Sequence, residues 1–116
     1  MPVKVLVADT DFMRKAILRF LSDLPEITVI GEAATLPEAV SKATRLHPDV
    51  VVLDLNLSDG VTLKHGLFNA RVVATSLRID DESKTLAEII GAAKLLDKME
   101  LASELIPAIL QLSPVA

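Results

Sequence analysis

The chain has 116 residues, 51% of them hydrophobic, and carries 12 Lys and Arg against 16 Asp and Glu for a net charge of −4. That is the length of one domain, spanning residues 1–116, long enough to bury a core without staples and too apolar for a disordered segment. No cysteine is present, which excludes disulfides and thiolate metal sites; three Phe as the only aromatics and no basic stripe argue against a nucleic-acid surface. No apolar run approaches the roughly 20 residues of a membrane span, and Met1-Pro2-Val3-Lys4 leads straight into a strand pattern rather than a signal peptide, so the expected location is cytoplasmic.

Val3–Ala8 reads as a short buried strand. Asp11 is placed to cap the helix that follows, in which Phe12, Met13, Ala16, Ile17, Phe20, Leu21 and Leu24 recur at steps of three and four until Pro25. Ile27–Ile30 is a second strand, closed by Gly31. Thr35-Leu36-Pro37-Glu38 has capping-box spacing with a Pro in the first turn, and Ala39, Val40, Ala43 and Leu46 give the second helix its apolar face before His47-Pro48 stops it. Val50–Leu55 is the strongest strand, and its apolar run Val50–Leu53 suits a parallel strand covered on both faces.

Ser58-Asp59-Gly60 reads as a turn, and Thr62–Phe68 as a short helix interrupted by Gly66. Arg71–Thr75 is a fourth strand. Asp80-Asp81-Glu82 opens a helix with Leu86, Ile89 and Ile90 as apolar positions and Gly91 as its stop. Ala93–Leu96 is a fifth strand, and Leu101, Leu105, Ile106, Ile109 and Leu110 mark a last helix before a loose tail from Pro114. Short strands alternating with helices imply an α/β fold: a doubly wound parallel sheet with right-handed crossovers.

In open parallel sheets, sites form at the carboxyl ends of the strands. The pattern places Asp9, Thr10 and Asp11 after strand one, Asp54 at the end of strand three, Thr75 and Ser76 at the end of strand four, and Lys98 after strand five. Asp54 stands out because it interrupts an apolar strand, where a charge is expensive unless paired or metal-bound. Clustered carboxylates suit a hard cation such as Mg²⁺, and a carboxylate beside a cation and a Lys suits phosphoryl transfer. Each residue has a plainer reading: Asp9 and Asp11 as a turn and a helix cap, Asp54 as a satisfied strand-end acid, Thr75 and Lys98 as ordinary surface-edge residues. His47 and His65 read as surface residues. Ser58 and Ser76 lack the His-plus-acid pattern of a hydrolase triad.

At these residues the sequence resembles the receiver domain of two-component response regulators, from about Val3 to Leu112. The resemblance is carried by Val5-Leu6-Val7-Ala8-Asp9, by Pro48-Asp49-Val50-Val51-Val52-Leu53-Asp54-Leu55-Asn56-Leu57-Ser58-Asp59-Gly60, by Val72-Val73-Ala74-Thr75-Ser76 and by Gly91-Ala92-Ala93-Lys94-Leu95-Leu96-Asp97-Lys98. It implies a five-stranded sheet in the flavodoxin-like order 2-1-3-4-5 with a short third helix. It further implies Asp54 as phosphoacceptor; Asp9, Asp54 and the backbone carbonyl of Asn56 as Mg²⁺ ligands; Thr75 hydrogen-bonding the phosphoryl group; and Lys98 pairing with it. The implied partners are a sensor histidine kinase or phosphotransfer protein as donor and a downstream protein at the last strand–helix face. A homodimer through the fourth and fifth strand–helix face is a further option, and no direct contact with nucleic acid or membrane is implied.

The chain departs from the family pattern in places. Thr10 stands where a second acid is usual, and Asp11, one position later, is the alternative ligand if the loop shifts. Ser58 and Met99 stand where Pro is common, and Leu95 where a switch aromatic is usual. Two functions therefore stay open: a phosphorylatable receiver, and a pseudo-receiver that keeps the protein-binding fold without phosphorylation. A phosphatase using Asp54 as nucleophile would want an acid two residues on, where the chain has Asn56, so the expectation is a signalling module and not an enzyme.

Overall fold

The computed structural model describes residues 2–58 and 63–114. Its elements are β1 (Val3–Ala8), α1 (Asp11–Leu21), β2 (Ile27–Ala33), α2 (Leu36–Leu46), β3 (Val50–Asp54), β4 (Arg71–Ser76), α3 (Asp81–Ile90), β5 (Lys94–Asp97) and α4 (Leu101–Gln111). The five strands form one all-parallel sheet in the order β2-β1-β3-β4-β5. The chain winds outward from β1 to β2, then crosses back to β3, so the switch point lies between β1 and β3. That is where an open α/β sheet leaves a crevice at its carboxyl edge.

Strand alternation divides the core into two layers. Val3, Val5, Val7, Val50, Val52 and Val73 face α1 and α4, packing on Ile17, Leu21, Leu105 and Ile109. Leu6, Ala8, Val51, Leu53 and Val72 face the other way, packing on Leu36, Ala39, Ala43, Phe68 and Ile90. Both faces of the central strands are dry, which is why β1 and β3 are apolar at nearly every position.

The helix ends follow the capping chemistry expected of them. Thr35 Oγ1 accepts the Glu38 N–H at 3.2 Å, and Glu38 Oε1 accepts the Ala34 N–H at 2.6 Å. Asp80 and Ser83 form a reciprocal capping box on α3, and Gly91 closes that helix at φ 74°. A side chain at Gly91 would also meet His65, 2.6 Å from its built Cβ.

Several boundaries differ from expectation. The N-cap of α1 is Thr10, not Asp11, and its side chain makes no capping bond. Asp11 is instead the first helical residue, with its carboxylate drawn to Arg14. The helix stops at Leu21, ahead of Pro25. Phe12 and Phe20 lie on the solvent side of its stripe, at 82% and 40% exposure. Strand β2 runs through Gly31 to Ala33, because a register shift at Val5/Leu6 absorbs the irregularity. A Cβ at Gly31 would come within 2.8 Å of the Leu46 Cδ1 methyl, which would have to shift. Strand β5 is Lys94–Asp97, shifted one residue on.

The expected short third helix is not found in the described part of Thr62–Phe68. A 3₁₀ turn, Leu55–Ser58, follows β3, and Leu63–Phe68 is non-helical. Gly66, at φ 78°, turns the backbone out of the right-handed region. Phe68 then covers the sheet with a buried ring, flanked by Leu63, Leu67 and Ala70. Thr62, and Asp59-Gly60 of the expected turn, lie outside the described residues. Among the described residues, no helix is long and apolar enough to cross a membrane.

Candidate acidic site at the carboxyl edge

Strand register assembles the site. Ala8 pairs with Leu53 across β1 and β3, so the next residues, Asp9 and Asp54, emerge side by side. Asp54 pairs with Thr75 across β3 and β4, and Ser76 with Asp97 across β4 and β5. Asp97 Oδ1 accepts the Met99 N–H at 2.9 Å, which turns the chain after β5 through a short 3₁₀ segment, Lys98–Glu100. This turn directs Lys98 back over the strand ends.

Lys98 Nζ lies 3.1 Å from Asp9 Oδ1 and 3.1 Å from Asp54 Oδ2. All three side chains are buried, so one ammonium faces two carboxylates and, with both ionised, one negative charge is left uncompensated. The remaining oxygens are served unequally. Asp54 Oδ1 accepts the Asn56 N–H at 3.0 Å. Asp9 Oδ1 accepts the Thr10 N–H at 2.7 Å, but Asp9 Oδ2 is buried without a hydrogen-bond partner. Burial, reinforced by the neighbouring Asp54 charge, pushes the Asp9 carboxyl above the usual carboxylate range, against the opposing pull of the Thr10 N–H and Lys98.

Thr75 is fully buried, and its hydroxyl reaches the Leu53 carbonyl at 3.5 Å, the outer limit of a hydrogen bond. It is therefore weakly held, beside Asp54 in the strand register. Ser76 is committed elsewhere, donating to the Arg78 carbonyl at 2.9 Å. Leu95 packs partly buried against Leu55, Ala74 and Ala87.

The residues expected at the site divide into two groups. Asp9, Asp54, Thr75 and Lys98 converge, and Asn56 joins them through its backbone N–H. Asp11 stays outside, exposed and bonded to Arg14. His47 and His65 are exposed. Among the described residues no three His, Cys, Asp or Glu side chains gather into a metal-sized group. The donor set is thus two carboxylates, one of them with an orphaned oxygen and an excess negative charge; this fits a hard cation that retains several waters, as Mg²⁺ does. Sequence reasoning missed Arg14, a residue whose role depends on a bend in the β1–α1 loop that no periodicity encodes. It also missed the apolar rim: Phe12, in the first turn of α1, and Met99, in the 3₁₀ segment after β5, are 82% and 80% exposed and follow closely on Asp9 and Lys98 in the chain.

A doubly wound parallel sheet with a buried Asp–Lys–Asp cluster at its switch point is the architecture of a receiver. Comparison with known proteins agrees. The chain is 34% identical over 116 residues to the response regulator protein VraR of Staphylococcus saprophyticus, covering 94% of this chain and 56% of that protein. It is 42% identical over 71 residues to a protein-glutamate methylesterase/protein-glutamine glutaminase of Methanosarcina acetivorans, covering 60% of this chain and 20% of that protein. The response regulator domain of Thermotoga maritima CheB superposes with a TM-score of 0.79 at 26% identity, covering 100% of this chain and 99% of that one. No protein-family model matches. The chain belongs to the response-regulator receiver domains of two-component signal transduction. It spans about half or less of the length of these curated relatives.

Proposed function

We propose that this receiver accepts a phosphoryl group on Asp54 from the phosphohistidine of a sensor histidine kinase or phosphotransfer protein. The reading rests on one observation above others: Asp54 is buried at the switch point with Lys98 at 3.1 Å and Asp9 beside it. In the transfer, an Asp54 carboxylate oxygen forms a bond to phosphorus as the bond from phosphorus to the donor histidine nitrogen breaks. Lys98 then pairs with phosphoryl charge, and the loosely held Thr75 hydroxyl supplies a hydrogen bond. Asp9 and Asp54, with the backbone carbonyl of Asn56, would hold Mg²⁺, which supplies charge neutralisation on the phosphoryl oxygens. The chain acts as a phosphoacceptor in the cytoplasm, with residues 1–116 as one domain, and not as an enzyme with an external substrate.

The exposed Phe12 and Met99 beside the mouth of the site support docking of a protein donor, which would cover them as it delivers the phosphoryl group. A downstream protein partner, or a second copy of the chain, would read the face built from the last strands and helices. The test is phosphoryl incorporation, or beryllofluoride binding in Mg²⁺, in the native protein and in Asp54→Ala.

A second reading, the unphosphorylated pseudo-receiver, is favoured by the carboxylate count: with Thr10 in place of an acid and Asp11 turned away, Asp9 and Asp54 are the only carboxylates at the pocket among the described residues. In that case the native protein would bind neither Mg²⁺ nor beryllofluoride at Asp54, and protein binding would be independent of both.

A further inference from the structure

Arg14 is the most heavily engaged side chain around the β1–α1 loop. Its Nε donates to Glu32 Oε1 at 2.7 Å, its Nη1 to the Asp9 carbonyl at 3.0 Å, and its Nη2 to Asp11 Oδ1. The guanidinium therefore joins the end of β1, the end of β2 and the first turn of α1, and its side chain is 13% exposed. A planar fork with several donors can hold three acceptors at fixed angles in a way an ammonium cannot.

The placement of Asp11 has a consequence for the acidic site. Thr10 is extended, at φ −62° and ψ 160°. Across one extended residue, side chains two apart can serve the same side of the chain, and calcium loops use this spacing to direct alternate acids at one ion. Asp11 thus stands in the position from which an acid two residues after Asp9 can share a cation with it. Arg14 holds it at the surface instead, while Asp9 Oδ2 stays buried and unpartnered.

We infer that Arg14 is a latch that turns Asp11 away from the Asp9–Asp54 pocket, so that the pocket's affinity for a divalent cation depends on whether the latch is closed. The inference rests on the reading of that pocket as a cation site. Arg14 acts as a positioning residue: it touches no reacting atom, and works through the Asp9 peptide and the Asp11 carboxylate. It also explains how a chain with Thr10 in the usual place of an acid retains a second acid nearby without assembling a three-carboxylate cluster. Opening the latch supplies a third anionic ligand; closing it restores the two-carboxylate pocket.

The test is calorimetric titration of Mg²⁺ into the native protein, Arg14→Met, Asp11→Asn and the double variant, with amide NMR reporting the site of binding. Arg14→Met is expected to tighten Mg²⁺ on the order of tenfold, through the added anionic ligand. Asp11→Asn alone should leave affinity unchanged, and the double variant should lose the gain. A merely structural Arg14 would lower both stability and affinity; the latch lowers stability while raising affinity. Unchanged or weaker binding in Arg14→Met, or a gain that survives Asp11→Asn, overturns the latch while native Mg²⁺ binding leaves the cation reading intact. If the native protein binds no Mg²⁺ but Arg14→Met does so through Asp11, the latch stands and the cation reading of the native pocket falls.

Discussion

Asp54 and Thr75 stand directly opposite one another across the parallel β3–β4 pair, a buried carboxylate beside a buried hydroxyl that is held only by a 3.5 Å contact to a carbonyl. A fully buried hydroxyl normally finds a firm partner. On the proposed function, Thr75 would exchange the Leu53 carbonyl for the stronger, anionic acceptor that a phosphoryl group on Asp54 provides. Thr75→Val, which keeps the shape and removes the hydroxyl, should cost little stability, about 1 kcal/mol or less, because little is lost with a 3.5 Å bond. Beryllofluoride binding should weaken much more, and comparing thermal melts with and without Mg²⁺ and beryllofluoride separates the two effects.

Removing Lys98 leaves Asp9 and Asp54 buried against each other without a counter-charge. Lys98→Met should therefore destabilise the fold by about 3 kcal/mol, in the range for breaking one side of a buried ion pair. Much of that loss should return in Lys98→Met/Asp9→Asn, where one of the two carboxylates is neutral. Urea unfolding of the four members of this cycle measures the coupling.

Asp9 carries the opposite liability. Its carboxyl is raised, chiefly by burial and then by Asp54, so the folded protein holds a proton there more tightly than the unfolded chain does. The contribution of this group to stability is full below its unfolded pKa and is lost as pH rises through its raised folded value. At neutral pH it is therefore a penalty. Asp9→Asn should stabilise the metal-free protein at pH 7, since the amide removes a buried charge that stands beside Asp54. The gain should shrink as pH falls toward the ordinary carboxylate range. Unfolding midpoints measured from pH 7 down to pH 4 provide the check.

Phe68 does the covering work between β3 and β4 that a helix would otherwise do. Phe68→Ala should cost about 3–4 kcal/mol, in the range for truncating a buried aromatic. The site residues, fixed by strand register at the far edge, should keep their Mg²⁺ response wherever the variant remains folded. Chemical denaturation alongside a Mg²⁺ titration tests both parts.

Much of the fold could be read from the chain because its signals are local or periodic. Apolar strands such as Val50–Leu53, the Thr35–Glu38 cap and the Gly91 stop each declare themselves over a few residues. The strand-end placement of Asp9, Asp54, Thr75 and Lys98 followed from the same strand pattern, because register between parallel strands carries strand-end residues together. What could not be read depends on bends and on tertiary competition. Asp11 looked like a cap, but Arg14 offers it a charge-assisted bond that outcompetes capping. Phe12 fits the helical stripe of α1, yet the stripe is wider than the surface available to bury it. The segment after β3 shows helical spacing, but Gly66 and the anchoring of Phe68 hold its described residues in turns.

On the proposed function, Asp54 is the phosphoacceptor of a working receiver. The most direct measurement is a set of amide NMR spectra with Mg²⁺, then with Mg²⁺ and beryllofluoride, in the native protein and in Asp54→Ala; the chain contains no Trp to report by fluorescence. Shifts at Asp54, Thr75 and Lys98 are expected that require both reagents and disappear in the variant while its fold is unchanged. Native spectra that do not respond to the two reagents together, or a response that persists without the Asp54 carboxylate, would contradict it.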